Sequence, residues 1–383
     1  MTTFLSRRRT SSWLMVVLLL AVMLAVSACG GGGSAPASSS GGGGGGGSSA
    51  SSGGSGGSSG TSASGQGSGG GTQAQPQQPA KQAPEQPNLK VGIPVDAATF
   101  LPLYVADKKG YFEGEGLKVE LYTFQGDAGV VQALAGKSID IAVASPTGLV
   151  KTLRSGQPFR AFWGGFNQSD FEWYSAKLTS LSEAKGATFG ITTYGSLTDF
   201  LTRHALRNAG LNPEKDVQIL QAGDGGARLA ALESGQLDIS ILSTPFKFIA
   251  AEKGLNLVIS EKRDITPTWP QHVVYGIDDF VKSKPETIKA FLRAMVKSIG
   301  HIESNPDDAV QILMDRLKLE EHLARMSVED VTPGFDKRGG FDKTGLDLFW
   351  EISVEAGDVD HPWTYEEWFD MTYINTQDEW MNL

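Results

Sequence analysis

Residues 187–210 read ATFGITTYGSLTDFLTRHALRNAG. Ala187–Thr192 is an apolar, β-branched run of strand length. Leu197–Ala209 has helical spacing and stops at Gly210, where a helix C-cap belongs. Between them Thr193-Tyr194-Gly195-Ser196 makes the turn. Strand, glycine turn and helix in this order form the unit from which sheets covered by helices are built.

The unit recurs on both sides. Upstream, strands are expected at 89–94, 117–122, 139–144 and 159–166, with helices over 101–109, 128–135 and 147–154. Downstream, strands at 217–221, 237–242 and 256–260 alternate with helices over 227–232 and 246–252. After Pro285 the pattern turns helical, over 286–302, 307–317 and on through 320–380. Two β-α runs with a helical tail exceed one core. The expected class is α/β with two lobes, each a mainly parallel sheet flanked by helices. Residues 89–179 and 268–383 would form lobe 1 and residues 180–267 lobe 2, with crossings near Leu178–Leu181 and Pro267–His272.

The amino end reads differently. Arg7-Arg8-Arg9 precedes an apolar run from Trp13 to Val26, then Ser27-Ala28-Cys29. A basic end, an apolar segment and small residues before a cleavage point make residues 1–28 a signal peptide. Val26-Ser27-Ala28-Cys29 resembles the lipobox of bacterial lipoproteins. The resemblance implies cleavage before Cys29, lipid on its thiol and anchoring to the outer side of the cell membrane. Of the 48 glycines, 21 fall between Gly30 and Thr72. Residues 29–88, Gly/Ser and then Gln/Pro, lack apolar side chains to offset the entropy of ordering and are expected to be a flexible tether.

Composition excludes several classes. With 33 Lys+Arg against 43 Asp+Glu, the net charge of −10 argues against nucleic acid as a partner. One cysteine rules out a disulfide framework or a Cys-rich metal site. The five histidines (His204, His272, His301, His322 and His361) show no metal-ligand spacing, and no Walker or Gly-x-Ser-x-Gly motif is present. No cofactor, metal or catalytic residue is expected.

In open α/β sheets, ligands bind beyond the carboxyl ends of the strands. Those ends nominate Thr99 and Phe100 after the first strand, Ser145, Pro146 and Thr147 after the third, then Thr193, Tyr194, Gly195 and Ser196. Gly223, Asp224 and Thr244 complete the set. Ser145 and Ser196 each precede a helix, so both would bring free N–H groups and the positive end of a helix dipole to the cleft. Nearby aromatics (Phe100, Tyr104, Trp163, Phe166, Tyr194 and Phe246) are candidates for a pocket wall. No Lys or Arg lies within these loops, Arg228 being the nearest, so a charged ligand is expected to be held by N–H groups and dipoles rather than ion pairs. Asp96, Asp127 and Asp224 read as solvated loop carboxylates.

The segment Phe100-Leu101-Pro102-Leu103-Tyr104-Val105-Ala106-Asp107-Lys108-Lys109-Gly110-Tyr111-Phe112, with Glu115-Gly116-Leu117-Lys118-Val119 after it, resembles the opening of type II periplasmic binding proteins. The group in question serves nitrate, taurine, aliphatic sulfonates and thiamine-pyrimidine precursors. Gly136–Ala142, Gly190–Ser196, Glu233–Asp238 with Pro245, and Val281–Glu286 resemble further segments in order, over roughly residues 89–310. The resemblance implies a periplasmic-binding-protein type II fold, a small-molecule ligand between the lobes, and delivery to an ABC permease and its ATPase. By position it carries ligand contact to Thr147, Ser196 and Thr244. Where sulfonate-type members often have Asp-Pro, this chain has Thr244-Pro245. The expected function is an extracytoplasmic, lipid-anchored, monomeric solute-binding protein rather than an enzyme. The alternatives are an enzyme of the pyrimidine-precursor or menaquinone-pathway kind on the same scaffold, or a ligand-sensing partner of a membrane receptor.

Overall fold

The computed structural model describes residues 81–381. The expected signal peptide, Cys29 and the expected tether as far as residue 80 lie outside them.

Ten strands form two five-stranded sheets. The first contains β1 (Asn88–Ile93), β2 (Lys118–Thr123), β3 (Ile141–Ala144), β4 (Phe159–Phe166) and β10 (His272–Ile277), in the order β2-β1-β3-β10-β4. The second contains β5 (Glu172–Ser175), β6 (Thr188–Ile191), β7 (Gln218–Gln221), β8 (Ile239–Leu242) and β9 (Asn256–Ser260), in the order β7-β6-β8-β5-β9. Each sheet with its helices is a lobe, and the two orders repeat one plan. The eight strands read from local pattern are present.

Each sheet is mainly parallel, four strands running one way, and one opposed strand makes it mixed. β10 runs antiparallel to β3 and β4, and β5 antiparallel to β8 and β9. These two strands are the ones by which each lobe receives the chain from the other. β5 lies in the second sheet, so the outgoing crossing is residues 167–171, upstream of Leu178–Leu181. Burial fixes it there: Trp173 is fully buried, and its indole N–H donates to Thr202 Oγ1 at 3.1 Å on a helix of the second lobe.

The first core joins Val91, Ile93, Ile141 and Val143 of the sheet to Leu101, Val105, Ile288, Phe291 and Ile299 of the helices Leu101–Lys108 and Pro285–Ser304. Alternate faces of a strand point to opposite layers, so apolar residues on both faces of β3 require cover on both sides. The helical tail does not stay with the first lobe. Phe349, on the helix Lys343–Glu355, lies 5.9 Å from Phe200 of the second lobe and 5.9 Å from Trp269 of the return crossing.

The end of the expected tether is docked. Pro285 opens a 20-residue helix that Lys284 does not cap with its side chain. Glu85 caps it instead, accepting the N–H groups of Glu286 (3.0 Å) and Thr287 (2.8 Å). First-turn N–H groups have no partner within a helix, and a carboxylate there also meets the positive end of the dipole. Lys81 reaches the buried Glu115 carboxylate at 2.5 Å, beside Arg293 and Lys297.

Candidate functional site

The carboxyl ends of β1, β3, β6 and β8 converge on a cleft between the lobes. Pro94–Ala97, Thr99, Phe100 and Ser145 line it from the first lobe; Thr192, Ser196–Thr198, Arg228, Ser243 and Phe246 from the second. Phe171 of the outgoing crossing and Gln271 and His272 at the end of the return close its floor. It holds about 580 Å3 of empty space, its open mouth included.

One wall is aromatic. Phe100 and His272 stack with centroids 4.1 Å apart and planes 14° from parallel. Burial holds the imidazole pKa down at about 3, so His272 is neutral and contributes a flat face rather than a charge. Beside it Gln271 is 2% exposed, and its Oε1 has no hydrogen-bond partner among the described residues.

Arg228 supplies the cation. It stands one turn into the helix Gly225–Glu233, whose N-cap, Asp224, accepts the Ala227 N–H at 2.9 Å. That turn folds Arg228 back over the end of β8. Nε donates to the Ile241 carbonyl at 3.0 Å, and Nη1 to the Gly223 carbonyl at 2.7 Å and to Thr192 Oγ1. All three partners are neutral. The side chain is 3% exposed, and no carboxylate lies within ion-pair distance among the described residues. Burial pulls its pKa down to about 10, with Asp224 opposing. The expectation of a cleft without a basic side chain is thus corrected: Arg228 was outside the strand-end loops, and the helix turn brings it in.

The helix ends expected to be free are filled. Asp127 begins the helix Asp127–Ala135 after Gly126, whose φ is +80° and ψ 172°. Its carboxylate accepts the Ser145 N–H through Oδ1 and the Leu197 N–H through Oδ2, both at 3.1 Å. Asp127 belongs to the first lobe and Leu197 to the second. The residue is 4% exposed, not the solvated carboxylate of the sequence reading. Burial pushes its carboxyl upward, and the two N–H bonds oppose that.

Of the twelve nominated residues, Thr99, Phe100, Ser145 and Ser196 line the cleft. Pro146 and Thr147 follow Ser145 into the buried first turn of the helix Pro146–Arg154. Thr193 packs near Gly126 with its hydroxyl buried and unpartnered. Tyr194 is 51% exposed, its hydroxyl donating to the Ile219 carbonyl. The Gly195 N–H donates to Asp199, and the Gly223 carbonyl accepts from Arg228. Asp224 caps its helix. Thr244, fully buried, has its hydroxyl 2.6 Å from Asp170 and 2.7 Å from Asp330, in an ion cluster with Lys247 behind the cleft.

A protein-family model described as "NMT1/THI5 like" matches residues 97–309. The chain belongs to that family. Its curated relatives include the putative binding protein YtlA of Bacillus subtilis, 23% identical over 59% of this chain and 69% of that protein. The riboflavin-binding protein RibY of Chloroflexus aurantiacus is 23% identical over 60% and 66%. The chain spans only 38% and 40% of two longer relatives, the bicarbonate and nitrate import ATP-binding proteins CmpC and NrtC of Synechocystis. Among solved structures, the periplasmic aliphatic sulphonate-binding protein SsuA of Escherichia coli shares the fold with a TM-score of 0.59, at 15% identity over 74% of this chain and 92% of that one. The fold expected of the family, two lobes of the periplasmic-binding-protein type with a helical C-terminal region, is the fold described above. Among the described residues no helix is long and apolar enough to cross a membrane, and no group of three or more His, Cys, Asp or Glu could hold a metal ion.

Proposed function

We propose that this chain is the extracytoplasmic solute-binding lipoprotein of an ABC importer. In this reading the signal peptide ends at Ala28, lipid on Cys29 moors the protein, and residues from 30 to about 80 tether a monomeric body. The lobes, exchanging chain at 167–171 and 261–271, close on one small organic solute. The closed form is the one an ABC permease with its ATPase would recognise.

The observation that carries the reading is Arg228. Burying a guanidinium without a counter-carboxylate costs free energy unless something compensates. Here it lines a cleft, so a solute with an acceptor edge or a negative group compensates for it on binding. The Phe100–His272 stack suits a flat, apolar or heterocyclic body, and the unpartnered Gln271 Oε1 suits a donor on it. A heterocycle of the pyrimidine or larger fused-ring class combines these features, and the name of RibY, a riboflavin-binding relative, agrees with it.

The test is native mass spectrometry of the whole protein purified from its own host, to find a co-purifying solute. Arg228→Lys keeps the charge but loses the planar fork of donors. We expect it to weaken that solute at least about tenfold, roughly 1.4 kcal/mol. Unchanged affinity in Arg228→Lys and Arg228→Gln would remove Arg228 from the site.

A further inference from the structure

We propose that Asp127 sets the specificity of this cleft: its carboxylate occupies the seat between two opposed helix N-termini, so free oxyanions are refused there and the accepted solute directs its polar group to Arg228. This rests on the solute-binding reading above.

Two helices from different lobes, Pro146–Arg154 and Leu197–Asn208, point their N-termini at one place. Neither is capped by its own N-cap side chain. Ser145 Oγ pairs with Thr147 Oγ1 at 2.6 Å, and Ser196 Oγ donates to the Thr193 carbonyl at 2.7 Å. Their donors are therefore left for a third party, as a bound anion would require. At Asp224 and Asp342 an N-terminal carboxylate comes from the cap position itself, and Glu85 reaches one helix from a distant segment, but neither case joins two helices. Here it comes from 18 residues before Ser145 and 70 before Leu197.

The chain is built to deliver it. Gly126, with φ +80°, lets the backbone enter the gap between lobes, and a Cβ on it would lie 2.4 Å from Thr193 Oγ1 across that gap. With both N–H groups taken, an incoming nitrate or sulfonate would have to displace an internal carboxylate or sit beside a like charge. Among the described residues that line the cleft, Gln271 holds a buried oxygen without a hydrogen-bond partner, and Arg228 has no carboxylate within ion-pair distance. Gln271 adjoins His272 of the aromatic wall, and Arg228 lines the same cleft from the second lobe through its bond to Thr192, so the open polar groups flank the stack and suit a ring-bearing solute over a compact tetrahedral or trigonal anion.

The experiment titrates the full chain in detergent with nitrate, sulfate and methanesulfonate by calorimetry. Wild type, Asp127→Ala and Asp127→Asn are compared after circular dichroism confirms folding. We expect no saturable binding to wild type and a gain of at least about tenfold for one or more anions in Asp127→Ala, with a smaller gain in Asp127→Asn. Saturable binding of these anions to wild type overturns the proposal without any variant. So does the absence of a gain in whichever variant folds. Neither result bears on the co-purifying solute and its dependence on Arg228, so failure here is distinct from failure of the solute-binding reading.

Discussion

Glu261 Oε2 accepts the backbone N–H of Phe171 at 3.0 Å, and through that bond the returning segment holds the outgoing one. The same oxygen accepts the Asp170 N–H at 3.1 Å, while Oε1 is buried without a partner. A protonated carboxyl suits this setting. Burial raises its pKa from 4.5 to about 8, the Asp170 charge adds to the rise, and the two N–H bonds and Lys247 oppose it.

A pH dependence follows. The folded value lies above the unfolded one, so this group's contribution to stability is full below about pH 4.5 and declines as pH rises through about 8. Asp170, Lys247 and Asp330 also face this cluster, so the informative quantity is a difference between proteins. We expect the Tm of wild type to fall relative to that of Glu261→Gln between about pH 5 and about pH 9. Parallel curves would mean that Glu261 does not titrate there.

Gly126 combines φ +80° with ψ 172°, a region that side-chain-bearing residues essentially do not enter. Gly126→Ala should cost about 1–3 kcal/mol and press on Thr193 of the opposite lobe. Small-angle scattering should show a larger radius of gyration than wild type. A variant as compact and as stable as wild type would place the lobes further apart than described here.

The helix from Pro285 depends on a residue 200 positions upstream. Glu85→Ala removes the acceptor for the N–H groups of Glu286 and Thr287. The loss should be about 1 kcal/mol, read as a Tm lower by a few degrees. Deleting residues up to 80 should leave Tm unchanged, and a fall on that deletion would extend the docked segment further toward the amino end.

Cys29 carries the anchoring proposal. Cys29→Ala should abolish incorporation of labelled palmitate and release the protein from the membrane fraction. Undiminished label in the variant would refute lipidation at this residue.

Much of the fold was legible because it is local. Val119 and Leu121 alternate with polar residues, Gly136 and Gly210 end their helices, and each strand-helix unit carries its own pattern. β5 and β10 were missed for a different reason. Trp173 and Tyr174 pair with β8 and β9, and Val273–Tyr275 with β3 and β4, up to 133 residues away. His272–Ile277 did hold a signal, the β-branched Val273-Val274 before Tyr275. Its partners, and hence the mixed sheets, were not written nearby.

The site divides in the same way. Thr99, Phe100, Ser145 and Ser196 could be found by counting to the ends of strands, since topology puts those ends at the cleft. Gln271 and His272 reach it only because the return crossing lies beside Phe166 and Phe171. Arg228 and Asp127 sit inside helices, and their roles depend on which groups they meet. By itself, then, this sequence determined two β-α runs, their turns and the helix ends that face a shared groove, because hydrophobic period and capping chemistry act over a few residues. Only the tertiary structure decided that Asp127 fills those helix ends while Arg228 goes without a carboxylate partner. Hydrogen bonds and desolvation are settled by neighbours brought together from opposite lobes.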